Sequence, residues 1–255
     1  MGNGFQINVS ADLDALTASL DAMQRDSIPF WTSKALNDTA KEIKDVAVAE
    51  MTRVFDHPTR FTLNALYISY ATKQRLVAQV LFKEGFGSIP ASRYLGPQVE
   101  GGRRAKKSHE RALERAGILH PGEFCLPGQG INLDAYGNIP GSILTRILSD
   151  LGASHDPKQN STTRSRGTKK GRARGRYFVM RPGGVVGWPS SNRSVPPGIY
   201  FRSAGQRVAR PVLIFATSPR YQARLPFYVI AKRVMQDRFS KNFRAAMQAY
   251  PHRYR

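Results

Sequence analysis

Leu36, Ala40, Ile43, Ala47, Met51 and Val54 recur every three or four positions, while Lys34, Asp38, Lys41, Glu42, Asp45 and Arg53 fill the opposite side. A stripe of that period is a helix with one buried face, so the chain must supply a second apolar surface to cover it. Pro29 suits the first turn of this helix, and His57-Pro58 stops it. The period then drops to two. Leu66, Ile68 and Tyr70 alternate, as do Leu76, Ala78, Val80 and Phe82, with polar Lys73-Gln74-Arg75 between them, which predicts a β-hairpin. Upstream, Phe5, Ile7 and Val9 predict a short strand, and Ser10 a cap for a helix bearing Leu13, Leu16, Leu20 and Met23.

From 84 to 140 glycine and proline punctuate the chain, and one helix stands out, at 104–116, closed by Gly117. Ser142 is placed to cap a short helix carrying Ile143, Ile147 and Leu151. Residues 177–180, 199–202 and 212–217 have the β-branched and aromatic content of strands. Pro226 opens a last helix with Ala231, Met235, Phe239, Phe243 and Ala246 on one side. Strands never alternate regularly with helices, which argues against a doubly wound nucleotide fold. The reading is α+β: an antiparallel sheet packed against a long N-terminal helix and a C-terminal helix, with a large irregular Gly/Pro-rich insertion. Residues 1–83 carry the first helices and hairpin, 84–176 form the insertion with its basic loop at 157–176, and 177–255 complete one core with 1–83.

Charge sharpens this division. Residues 1–156 hold 17 basic and 17 acidic side chains, whereas 157–255 hold 22 basic ones and only Asp237, so the whole excess of +21 lies in the last hundred residues. The run KQNSTTRSRGTKKGRARGR at 158–176 has eight basic residues, no acidic one, and almost nothing a core could use. It reads as a mobile surface segment that meets phosphates or an acidic protein face by charge, without the interleaved aromatics that stack unpaired bases. Candidate contacts are Arg103, Arg104, Lys106 and Lys107, then Arg164, Arg166, Lys169, Lys170, Arg172, Arg174 and Arg176, with Arg253 and Arg255 at the end. No stretch approaches the roughly 20 apolar residues that span a bilayer, and the first twenty residues have no basic start or apolar run, so neither a membrane segment nor a secretory leader is expected.

Motifs for chemistry are absent or incomplete. Gly85-Phe86-Gly87 follows a strand, but Pro90 stands where a dinucleotide loop needs its third glycine. Gly171 beside Lys169-Lys170 does not complete a phosphate-cradling loop, and no Gly-x-Ser-x-Gly elbow occurs. His57, His109, His120, His155 and His252 show no metal-ligand spacing and read as surface or loop histidines. The single Cys125 excludes an internal disulfide framework and a thiolate cluster, and fits a reducing compartment. It could act as a nucleophile with His109 or His120 as base, but Phe124 and Leu126 beside it suggest a small buried side chain. Asp12 and Asp14 favour a helix start, and Asp134 with Gly137-Asn138 a turn. The expectation is a protein that is not an enzyme and takes no cofactor.

Taken together, SKALNDTAKEIKDVAVAEM, the hairpin after it, and PVLIFATSPRYQARLPFYVIAKRVMQDRFSKNFRAAMQ resemble the minor tail protein Z, or tail-completion, group of tailed bacteriophages. YLGPQVEGGRRAKKSHERALERAG and LPGQGINLDAYGNIPGSILTRILSDLG look like phrases of phage and prophage structural proteins with the same two ends. The short tail-completion proteins lack much of 84–176, so this would be a longer variant. The resemblance implies a virion subunit that assembles in the host cytoplasm as a homo-oligomeric ring at the head-tail junction or proximal tail. It would join the portal or its adaptor to tail proteins around the exit path of the genomic DNA, with no membrane partner. The alternative from charge alone is a protein that binds nucleic acid without sequence specificity, although no helix-turn-helix, zinc finger or RNA-binding sheet signature accompanies it.

Overall fold

The structure, a computed structural model, describes residues 6–10, 27–85, 89–173, 175–181, 195–217 and 220–251. The helix expected on Leu13 to Met23, Asp12, Asp14, the Phe86-Gly87 pair and His252 lie outside them. The chain forms two compact units, residues 1–104 with 221–255, and residues 105–220.

In the first unit, α1 (Ser27–Val54) buries the expected stripe: Leu36, Ala40, Ile43, Ala47 and Met51 are wholly inaccessible. After one turn of helix, α2 (Arg60–Leu63), the hairpin forms from β2 (Leu66–Ser69) and β3 (Val77–Phe82), closed by reciprocal backbone bonds between Thr72 and Arg75. Strand β1 (Gln6–Ser10) pairs antiparallel with β3, Ile7 opposite Val80, giving the order β1-β3-β2. Alternation on β3 sends Ala78, Val80 and Phe82 into the core with the α1 stripe. The Asn37 side chain ties helix to hairpin: its Nδ2 donates to the Ala71 carbonyl at 3.0 Å, and its Oδ1 accepts from the Ala71 N–H at 2.7 Å. Buried Ala71 has therefore both backbone groups paired where the ladder has ended.

The chain continues into α3 (Ala91–Glu100), where the sequence suggested only shaped loop. Pro97 inside this helix costs a backbone hydrogen bond, which explains why the segment does not read as helical. Ala91, Leu95, Gly96 and Pro97 are all buried, and burial of Leu95 and its neighbours in the core offsets that loss. Strands β4 (Gly102–Arg103) and, later, β9 (Arg220–Tyr221) pair where the chain leaves this unit and re-enters it. The last helix, α8 (Phe227–Ala249), runs antiparallel to α1. Asn242 Nδ2 donates to Thr39 Oγ1 (3.1 Å) and Glu42 Oε1 (2.9 Å), and Trp31 Nε1 donates to the Tyr250 carbonyl at 3.0 Å. Ala231 and Ala246 are buried as expected and Met235 and Phe239 half-buried, but the stripe starts a turn earlier with Phe227, Ile230 and Val234. Phe227 stacks on Phe82 at 5.1 Å.

The second unit has its own sheet and core. Helix α4 (Ser108–Arg115) ends as expected at Gly117, whose φ of +70° suits the left-handed C-terminal position. Strand β5 (Glu123–Pro127) follows, then α5 (Gly141–Asp150), with Ser142 inside the first turn and Pro140 at the cap position. Next come a 3-10 turn (Pro157–Gln159), two short helices, α6 (Thr163–Gly167) and α7 (Lys169–Ala173), and strands β6 (Arg176–Met180), β7 (Gly198–Arg202) and β8 (Arg210–Thr217). The order is β5-β8-β7-β6, antiparallel throughout, and Leu113, Leu119, Cys125, Ile147, Ile199, Leu213 and Phe215 pack together beneath it.

Two sequence expectations are revised here. The strands at 177–217 do not complete the core of 1–83: β5, which the sequence left within the insertion, pairs with β8, so these strands close a separate core. Strand pairing is non-local, and nothing in a local pattern marks which of two sheets a strand will join. The basic run is also folded into a 3-10 turn and two short helices instead of open loop, Thr162 capping α6 by accepting from the Ser165 N–H. No side chain of the turn or of α6 is buried, as its composition demands.

Candidate functional site

On α5 the apolar residues Ile143, Ile147 and Leu151 face the core of the second unit. Ser142, Thr145, Arg146, Ser149 and Asp150 recur at helical spacing on the other side. The basic run folds back over this polar stripe. The Ser161 N–H donates to the Ser149 carbonyl (3.0 Å), Ser149 Oγ to the Gln159 carbonyl (2.6 Å) and Ser161 Oγ to Asp150 Oδ1 (2.8 Å). Arg166 Nη2 donates to the Asp150 carbonyl at 2.7 Å. Between them lies a cleft of about 540 Å³. Among the described residues, Arg146, Arg166, Lys170 and Arg176 line it with six hydroxyl side chains, against one carboxylate, Asp150. Arg146 is fixed by its donation to the Gly175 carbonyl (3.3 Å) and by the rings of Tyr177 and Phe201, 5.4 and 5.5 Å from its guanidinium carbon.

The residues singled out by sequence divide accordingly. Arg166, Lys170 and Arg176 meet at this cleft, while Arg164 and Lys169 are exposed on the short helices beside it. Arg174 and the side chain of Arg172 fall outside the described residues, as do Arg253 and Arg255. The earlier group lies apart from the cleft: Arg103 is exposed on β4, Arg104 half-buried, and Lys107 exposed ahead of α4. Lys106 is ion-paired to Glu114 and sits 5.9 Å over the Phe124 ring, so its charge has a partner within the unit. Sequence reasoning passed over Thr145, Arg146 and Asp150 as cleft residues and gave Ser142 only a capping role. The signal was there, in a polar stripe of hydroxyls and one arginine opposite an apolar one.

A second cluster is buried. Candidate ligand atoms of His109, Glu110 and Cys125 all lie within 4.8 Å of one another. The pairing of Cys125 with His109 raised from sequence is thus close in space, whereas His120 is exposed beside Glu123. His109 is only 9% exposed, on a helix, and not the surface histidine expected. A nitrogen, carboxylate and thiolate set is one that zinc accepts. Here, however, Glu110 Oε1 accepts from the Cys125 N–H (2.8 Å) and Oε2 from the Lys107 N–H (2.6 Å). Glu110 therefore joins the start of α4 to β5, and a metal would have to share oxygens already engaged. Cys125 is 5% exposed, which leaves a nucleophile there closed to substrate.

Two other polar groups are structural. Asp134 Oδ1 accepts from the Tyr136 (2.9 Å) and Asn138 (2.8 Å) N–H groups, the turn expected from sequence. Glu123 forms a double hydrogen bond with Arg181 (2.9 and 2.7 Å), and the same guanidinium donates to the Ile118 carbonyl and lies over the Phe215 ring. Arg181, with the His120 N–H, holds the Glu123 carboxyl down at about 2. Among the described residues no helix is long and apolar enough to cross a membrane. Comparisons with protein-family models, curated proteins and solved structures found no match to this chain.

Proposed function

We propose that this protein is a structural subunit of a tailed-bacteriophage virion, forming a ring or connector at the head-tail junction or proximal tail around the DNA exit path, and doing no covalent chemistry. One observation carries the reading. The early stretch that resembles the tail-completion group is α1, and the late one begins in β8 of the second unit and ends in α8; α1, the hairpin and α8 share one core. Much of 84–176, the segment that the short tail-completion proteins would lack, falls in the second unit.

The surface of α8 supports subunit contacts. Tyr228 and Val229 are 46% and 68% exposed, next to Lys232 and Arg233, the mixture of apolar and cationic side chains that a neighbouring subunit would cover. Light scattering and electron microscopy of the purified chain, alone and mixed with portal and adaptor proteins of one phage, test the reading. A discrete closed oligomer, or ordered copies at the portal, is expected. A chain that stays monomeric and joins no portal or tail complex would count against it. Sequence-independent binding of nucleic acid is the second reading, favoured by the four cations gathered at the α5 cleft.

A further inference from the structure

We infer that the cleft between α5 and the α6–α7 segment is a phosphate-binding site, taking either a backbone phosphate of nucleic acid or the phosphate of a free nucleotide. The inference sharpens the partner side of the reading above, but it rests on the geometry of the second unit alone.

Arg146, Arg166, Lys170 and Arg176 are separated by up to thirty positions in sequence, yet they line one concavity. On a merely solvated basic surface such charges spread apart, because like charges repel. Here the chain is folded back on α5 by the bonds of Ser149, Asp150, Ser161 and Arg166, and that fold draws the four cations together. Among the described residues the lining holds a single carboxylate, Asp150, against the four cations, an excess of 4 − 1 = 3 positive charges, and that carboxylate is turned to the Ser161 hydroxyl and, at 3.5 Å, the Tyr177 N–H. An anion in the cleft offsets that repulsion.

The lining favours phosphate over a carboxylate. A tetrahedral phosphate offers more oxygens than one arginine can serve, and hydroxyls interleaved with cations meet that need. Ser142, Lys170 and Arg176 supply it, because their side chains make no hydrogen bond or ion pair with the described residues. The volume, about 540 Å³, lies within the range of small-ligand sites, so a nucleotide fits as well as one segment of a strand. The two nearby aromatic rings, Tyr177 and Phe201, are covered by Arg146 and are not offered to a base. Recognition is then of phosphate, without sequence preference.

Fluorescence anisotropy of the full chain tests this with labelled duplex DNA of about 20 base pairs, over a salt series, and with inorganic phosphate and AMP as competitors. The variant is Lys170→Ala with Arg176→Ala. The control removes the same charge elsewhere, by Lys241→Ala with Arg244→Ala, both exposed on α8. Circular dichroism melts of all three proteins establish that each is folded. We expect the cleft pair to weaken DNA binding about tenfold or more and to flatten the salt slope by about two, while the control pair changes affinity about twofold or less. DNA binding lost with the cleft pair, and untouched by AMP, assigns a nucleic-acid strand. AMP binding lost with the cleft pair, while DNA binding is unchanged, assigns a free nucleotide. Equal loss with the control pair, or no binding of DNA, AMP or phosphate by the wild type, overturns the site. Phosphate binding by a chain that enters no virion would keep this site and sink the structural-subunit reading; a ring without phosphate binding would do the reverse.

Discussion

At Glu123 a surface turn becomes a fixed joint, because the Arg181 guanidinium is bonded to both carboxylate oxygens and to the Ile118 carbonyl at once. The folded carboxyl titrates at about 2 against an ordinary 4.5, so its stabilising contribution is complete above about 4.5 and fades as pH falls towards 2. We expect the wild type to lose protection of β5 and β8 amides more steeply than Glu123→Gln between pH 5 and 3, by hydrogen exchange. Equal pH dependence would refute the role given to this pair. Gly198 marks a different constraint. A Cβ there would stand 2.2 Å from the Leu213 carbonyl oxygen, beside the bulge at Ile199 and Tyr200, and backbone cannot swing aside as a side chain can. Gly198→Ala should cost more than about 2 kcal/mol in denaturant unfolding. A loss within about 0.5 kcal/mol would mean that the β7–β8 pairing is looser than described.

Among the elements, α1 was the most legible, because a 28-residue helix repeats its signal many times and six of its apolar positions are wholly buried. The hairpin was equally plain in its change of period. Helix α3 was hidden by Gly96 and Pro97, whose local preferences oppose the state that burial imposes. Strand β5 was hidden for another reason: Phe124-Cys125-Leu126 is too short a run to announce a strand before its partner Phe215-Ile214 is known. The joint between α1 and the hairpin rests on Asn37. Asn37→Ala should lower stability by about 2 to 3 kcal/mol, since it leaves both backbone groups of buried Ala71 unpaired. Thermal melts check this, and a shift no larger than that of an exposed α1 substitution such as Asp45→Ala would count against it.

At the scale of the molecule, each unit has a sheet and a core of its own. The chain leaves and re-enters the first unit through the paired strands β4 and β9, so the ends of the inserted segment are adjacent. Residues 105–220 expressed alone should melt cooperatively and show dispersed amide resonances, and 1–104 joined to 221–255 by a short linker should do the same. Failure of both to fold would mean that the two cores depend on one another. Charge follows the same boundary. The second unit has 19 basic and six acidic residues, 19 − 6 = +13 of the total +21, and the cleft lies within it.

The sequence by itself determined the α+β class, the stripe of α1, the hairpin, the strands near 177, 199 and 212, the C-terminal helix and the concentration of positive charge. Each of these is a local or periodic property, set by which residues must leave water and which cannot. Only the tertiary structure decided that the late strands close a second core with β5, that His109 and Cys125 lie together with Glu110, and that the basic run folds onto α5. These depend on pairings between segments far apart in the chain, whose energy comes from shape and hydrogen-bond complementarity that no single segment contains. The cleft was half legible. Its cations were visible as a run, but their convergence needed the polar face of α5, and two faces meet only when the chain is folded.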